Sequence, residues 1–222
     1  MPDVIRVLIA DDDPLVRVAL SMLLGGGQEI QVVAEVADGT EAVEAARRLN
    51  PDVVLMDIRM PGLDGLAATE AIRSTGDTPA VIVLTTFDTD DHVLRALRAG
   101  ANGFLLKDTP PMDILESVRR VAAGESTLSP TVLTRLIRRV AHGADETERL
   151  GRIHRARTAL RSLTDREREV AVAVAAGRSN AQIGEDLYMS VATVKAYVSR
   201  IFAKLECANR VQVAILVHEA RG

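Results

Sequence analysis

Along its first 125 residues the chain alternates between short runs of aliphatic and β-branched residues and longer stretches whose apolar positions recur at helical spacing. The runs Ile5–Ala10, Ile30–Val36, Val53–Met56, Ala80–Leu84 and Gly103–Leu106 read as strands. Several show little polar alternation, as strands covered on both faces do. Between them, Pro14–Leu24, Thr40–Leu49, Leu63–Ser74, Asp91–Ala99 and Pro111–Ala123 read as helices, with Asp13 as an N-cap and Pro14 in the first turn. Five such units predict an α/β fold, a doubly wound (βα)5 parallel sheet with right-handed crossovers.

The alternation stops after residue 124. Thr131–Val140 is helical in pattern, Ala141–Arg149 turns polar, and Arg152–Arg161 is rich in arginine. We read residues 122–158 as a linker, partly helical. From Leu163 onward the pattern is helical only: Asp165–Ala175, Asn180–Leu187, Val191–Leu205 and Arg210–His218. A small all-α domain over 159–222 therefore follows an α/β domain over 4–121.

Charge sharpens this division. The chain carries a net −4, yet residues 1–140 hold 14 basic and 21 acidic side chains, whereas residues 141–222 hold 13 basic and 10 acidic. An acidic half joined to a basic half suggests different partners, with nucleic acid the candidate for the second. Of the 27 basic residues only Lys107, Lys195 and Lys204 are lysine. A compact ammonium kept among guanidiniums draws attention to Lys107 and Lys195; for Lys204 chance suffices. No apolar run reaches the roughly 18 residues needed to cross a bilayer, no signal peptide is evident, and the single Cys207 excludes an internal disulfide. These features predict a cytoplasmic protein without membrane partners.

In a doubly wound sheet, ligands collect beyond the carboxyl ends of the strands, where strand order reverses. The first strand is followed by Asp11, Asp12 and Asp13, the third by Asp57, the fifth by Lys107, and the fourth runs into Thr85 and Thr86. Crowded carboxylates repel unless protonated or bridged by a cation, and hard oxygen donors suit Mg²⁺. A carboxylate attacking phosphorus needs this kind of neutralisation, with an ammonium nearby. Strand-end carboxylates that merely cap helices are the plainer alternative, and Asp13 fits it well.

The runs Ile9-Ala10-Asp11-Asp12-Asp13-Pro14, Met56-Asp57-Ile58-Arg59-Met60-Pro61-Gly62, Leu84-Thr85-Thr86 and Phe104-Leu105-Leu106-Lys107-Asp108 resemble the receiver domain of two-component response regulators. The resemblance implies Asp57 as the phosphoacceptor for a sensor histidine kinase. It also implies Mg²⁺ on Asp12, Asp57 and the Arg59 carbonyl, with Asp11 acting through water. Thr85 and Phe104 would be switch residues, and Lys107 would pair with phosphoryl oxygens. Two departures stand out: Asp108 follows the lysine where many receivers have proline, and Asp13 stands where the subfamily often has histidine.

In the basic half, Thr164 with Glu167 three residues on forms a capping signature. A short helix, the break at Met189-Ser190 and a longer helix make a helix-turn-helix arrangement. Val191, Val194, Val198, Ile201 and Leu205 should face the core, leaving Thr193, Lys195, Ala196, Ser199 and Arg200 outward. Pattern alone fits an interaction bundle as well. The runs Leu163-Thr164-Asp165-Arg166-Glu167-Arg168-Glu169-Val170, Ser179-Asn180-Ala181-Gln182-Ile183 and Thr193-Val194-Lys195-Ala196-Tyr197-Val198 resemble the LuxR-type DNA-binding domain, and the whole chain resembles the NarL/FixJ subfamily. That implies a phosphorylation-dependent transcriptional regulator, not an enzyme, binding double-stranded promoter DNA as a homodimer. Lys195, Ala196 and Ser199 would face bases, and Thr193 and Arg200 phosphates. Val211, Val213, Ala214 and Val217 would lie on a dimerisation helix, some of them packing the domain core instead.

Overall fold

The computed structural model describes residues 4–74, 79–86, 90–128 and 146–221. The chain divides into two compact units, residues 1–136 and 137–222.

In the first unit β1 (Ile5–Ala10), β2 (Ile30–Val36), β3 (Val53–Met56), β4 (Ala80–Thr85), β5 (Gly103–Leu106) and β6 (Thr127–Leu128) form one parallel sheet in the order β2-β1-β3-β4-β5-β6. The helices are α1 (Pro14–Leu24), α2 (Gly39–Leu49), α3 (Gly65–Arg73), α4 (Asp90–Arg98) and α5 (Pro111–Ala122). Strand pleating divides the apolar residues between two cores. Val7, Ile9, Val53, Leu55, Ile82, Leu84 and Leu105 pack with Leu20, Leu24, Ile114 and Val118 on one face. Leu8, Ala10, Val54, Met56 and Val81 pack with Ala42, Ala46, Ala68 and Ile72 on the other.

Side-chain caps set the helix starts: Asp13 accepts from the Leu15 amide, Asp38 from Glu41 and Asp64 from Ala67. Asp64 explains why α3 begins at Gly65, two residues later than its apolar pattern suggests. A Cβ on Gly65 would overlap the Asp57 carbonyl, so the start of α3 is pressed against the loop that leaves β3.

The sixth strand was not anticipated. Thr127 and Leu128 pair with Gly103 and Phe104, and the Thr127 amide donates to the Asn102 carbonyl at 3.1 Å. Gly103 makes this possible, because a Cβ there would come within 2.8 Å of the Thr127 Cγ2.

The expected helix Thr131–Val140 lies outside the described residues. In the second unit α6 (Glu146–Leu160) occupies much of the arginine-rich stretch and packs on α10 (Arg210–Arg221). The Arg157 Nε donates to the Ala220 carbonyl at 2.9 Å, and Ala156 is buried. The remaining helices are α7 (Asp165–Ala175), α8 (Asn180–Leu187) and α9 (Val191–Leu205). Their core joins Leu163, Val170, Val174, Ile183, Val194, Val198, Ile201 and Leu205 to Val213 and Val217 of α10.

Capping boxes open α7 (Thr164 with Glu167) and α8 (Ser179 with Gln182). Between α8 and α9 the chain turns tightly: Tyr188 adopts a left-handed conformation (φ 56°), and a Cβ on Gly184 would approach the Met189 carbonyl oxygen to 2.7 Å.

Lys204, the lysine whose retention chance would explain, ties α9 to α7. Its Nζ lies 2.7 Å from Oε2 of Glu167, a carboxylate only 3% exposed. The same oxygen accepts from the Thr164 amide at 2.8 Å. The Lys204 ammonium first, and the Thr164 amide next, hold the Glu167 carboxyl down at about 2.

Two outcomes follow from this packing. Gly65→Ala should destabilise the first unit by about 1–3 kcal/mol through overpacking, measurable as a lowered urea midpoint. Lys204→Met, which strips a buried carboxylate of its ammonium, should cost the second unit about 1–3 kcal/mol near neutral pH. Because the folded carboxyl is depressed from 4.5 to about 2, its stabilisation is complete above the higher value and lost as pH falls through the lower. Thermal midpoints of native and variant protein should therefore converge in acid.

Candidate functional site

The sheet order reverses between β1 and β3, which lie side by side with β2 and β4 beyond them. Ala10 pairs with Met56, and the Asp57 amide donates to the Ala10 carbonyl at 2.8 Å. The residues that follow each strand are thereby brought together. Carboxylate oxygens of Asp11, Asp12 and Asp57 lie within 4.8 Å of one another. Asp11 and Asp57 are 1% and 6% exposed, whereas Asp12 faces solvent.

Lys107, carried just beyond β5, reaches into this group. Its Nζ stands 2.7 Å from Asp11 Oδ2 and 3.1 Å from Asp57 Oδ2. The other carboxylate oxygens take backbone donors: Asp57 Oδ1 accepts from the Ile58 amide at 2.8 Å, and Asp11 Oδ1 from the Asp13 amide at 3.0 Å. Burial pushes the Asp57 carboxyl above its usual range, against the pull of Lys107. Burial also works against the charge on Lys107, but Asp11 and Asp57 outweigh it and hold the ammonium above the ordinary lysine value.

Thr85, 1% exposed, ends β4, and its carbonyl accepts from the Lys107 amide at 2.9 Å. Phe104 is wholly buried in β5. Arg59 is exposed on the loop after Asp57. Thus Asp11, Asp12, Asp57 and Lys107 form one site, while Thr85 and Phe104 lie on the two strands beside it. Sequence reasoning missed Arg17, whose Nη1 donates to the Asp11 carbonyl at 2.6 Å from the first turn of α1. It also missed the open groove that leads away from Asp12 between Met60, Asp64, His92 and Arg95. An arginine one turn beyond the acidic run was the available signal for Arg17; nothing local marks His92 or Arg95.

In the second unit Thr193, Lys195, Ala196, Ser199 and Arg200 all stand exposed on α9, as expected, while Val194, Val198, Ile201 and Leu205 are buried. Val191 departs from expectation: it is 45% exposed. It is the first residue of the helix, one turn before Val194 on the same side, where the domain core no longer reaches it. The Arg200 guanidinium lies 4.6 Å over the Tyr197 ring and its Nε donates to the Ala196 carbonyl at 3.2 Å. The Thr193 amide donates to Ser190 Oγ, the N-cap of α9, at 3.1 Å.

Of the four α10 positions, Val213 and Val217 are buried in the unit's own core, so their side chains are not available to a partner. Val211 and Ala214 remain half-buried at the surface. The last helix must close the core before it can present a face, and helical spacing gives Val213 and Val217 to that task.

Comparison with known proteins agrees with this geometry. Residues 7–119 match the family described as response regulator receiver domain, and residues 161–217 match that described as bacterial regulatory proteins, luxR family. The transcriptional regulatory protein LiaR of Bacillus subtilis is 36% identical over 214 residues, covering 96% of this chain and 97% of LiaR. The response regulator VraR of Staphylococcus aureus is 37% identical over 211 residues, 95% of each protein. The crystal structure of ChrA, a response regulator of a heme-sensing two-component system, aligns with a TM-score of 0.52 at 35% identity over 98% of both chains. This chain belongs to the NarL/FixJ-type two-component response regulators, in which a receiver domain precedes a LuxR-type helix-turn-helix domain.

Proposed function

We propose that the chain is a transcription regulator, rather than an enzyme, whose DNA binding is controlled by phosphorylation of Asp57 by a partner histidine kinase in the cytoplasm. The observation that carries this reading is the convergence of Asp11, Asp12 and Asp57 on the Lys107 ammonium at the sheet reversal, in a chain that also bears a helix-turn-helix.

Three hard oxygen donors so close fit a divalent cation of the Mg²⁺ type. Asp12 and Asp57 would hold it directly with the Arg59 carbonyl, and Asp11 through water. When bound, Mg²⁺ supplies neutralisation of the charge on the transferring phosphoryl oxygens. The chain's own residues do the rest. An Asp57 oxygen attacks phosphorus, forming the P–O bond of an acyl phosphate as the P–N bond of the donor phosphohistidine breaks. Lys107, freed from Asp57, pairs with a phosphoryl oxygen. Exposed Leu15, Val18 and Met22 on α1 (78%, 49% and 75%), the helix that Asp13 caps, suit a protein donor approaching at this edge.

Phosphorylation then draws the Thr85 hydroxyl toward the new oxygens, and Phe104 changes rotamer. The outcome is a population shift toward a form whose helix-turn-helix is paired as a homodimer. Two copies of α9 would enter successive major grooves, reading half-sites about one helical turn apart. Lys195, Ala196 and Ser199 would face bases, Thr193 and Arg200 phosphates, and Val211 and Ala214 are the α10 side chains left for a partner helix.

The test is fluorescence anisotropy of the full chain on duplex DNA at fixed salt with Mg²⁺, with and without beryllofluoride. The expected result is tighter binding for the treated native protein only, with Asp57→Ala indifferent to treatment. An Asp57→Ala protein that responds fully would sink the mechanism. Lys195→Ala should lose about 1–3 kcal/mol of specific affinity in the same assay; an unchanged affinity would mean that α9 is not the reading helix.

A further inference from the structure

The outward surface of α9 is not uniform. Lys204 points to Glu167 of α7, and Thr193, Tyr197 and Arg200 share that flank, the last two stacked on each other. On the far side of the helix, Val191, Ala192, Lys195, Ala196 and Ser199 follow at i, i+1, i+4, i+5 and i+8. This spacing places them in one continuous patch over the first two and a half turns, and all five are exposed.

The chemistry of this patch restricts what it can read. Guanine is commonly taken by bidentate arginine or by lysine, adenine by asparagine or glutamine, and cytosine by a carboxylate. Of these side chains the patch holds only Lys195. Ser199 is short and reads no base selectively. What remains is aliphatic: two alanine methyls that let the backbone approach closely, and the branched side chain of Val191, 45% exposed where the domain core does not use it. The base feature complementary to an aliphatic contact is the thymine 5-methyl group, which the major groove presents.

Building on the reading of α9 as the recognition helix, we propose that this protein selects operators chiefly by thymine methyl groups. Val191 is a specificity-determining contact, Ala192 and Ala196 line the same apolar surface, and Lys195 fixes the register at a guanine edge. Recognition is then dominated by shape and methyl burial instead of paired hydrogen bonds, and affinity falls wherever a methyl is removed, although base pairing is unchanged.

The experiment begins with the full chain, Mg²⁺ and beryllofluoride, and a random-sequence duplex pool. The retained duplex is remade with deoxyuridine in place of each thymine in turn, and affinities are read by anisotropy. Removal of a contacted methyl should weaken binding about fourfold, the weight of one buried carbon, at one or more positions in each half-site. Val191→Ala, with an unchanged circular dichroism spectrum, should bind thymine and deoxyuridine duplexes equally at one of those positions, and Val191→Ile should keep the discrimination. A deoxyuridine series that is flat throughout, or a Val191→Ala protein with undiminished discrimination, overturns the proposal and leaves DNA binding intact. A pool from which no duplex is retained overturns the DNA-binding reading and this inference with it.

Discussion

The first unit is organised around an electrostatic problem: three carboxylates meet where the sheet reverses, two of them buried. No packing arrangement relieves that repulsion, because the same backbone pairing that builds β1 beside β3 delivers Asp11 and Asp57 to one spot. Lys107 is what makes the arrangement tolerable. By spanning Asp11 and Asp57 it holds the end of β5 to the ends of β1 and β3. Neutralisation stays incomplete, since one ammonium faces three carboxylates. A site left in this condition favours whatever brings further positive charge, which is the condition a phosphoryl acceptor with a divalent cation requires.

The helical unit uses the same interaction differently. One oxygen of Glu167, Oε2, accepts from the Lys204 ammonium and from the Thr164 amide and hydroxyl, and the carboxyl is depressed. One buried carboxylate is poised for change and the other is locked. The contrast follows from donor supply: a single lysine is divided between two acids in the first unit, whereas one acid gathers three donors in the second.

Much of this was legible in the residues. The five longer strands are legible to within a residue because their runs are dominated by aliphatic residues, on both faces in β3 and β4, and are bounded by turn residues. The acidic cluster was legible because every member sits just past a strand end. What escaped notice did so for physical reasons. Thr127–Leu128 is too short to show any period, and its place depends on the missing side chain at Gly103. The Lys204–Glu167 pair joins residues 37 apart, and only packed helices bring them together. Val191 shares its spacing with the buried valines and differs in standing at the very start of α9, beyond the packed core, while Val213 and Val217 show that an apolar helix face cannot be assigned to a partner until the core has been filled.

The short sixth strand bears on the exposed edge of the receiver's sheet. Without it, β5 would end the sheet, and its outer row of amides and carbonyls would be open to strands of other molecules. Thr127 and Leu128 occupy that row at Gly103 and Phe104. A receiver fragment ending at residue 121 would keep every residue of the acidic site and still expose a strand edge that the longer chain covers for itself, making it the more prone to self-association.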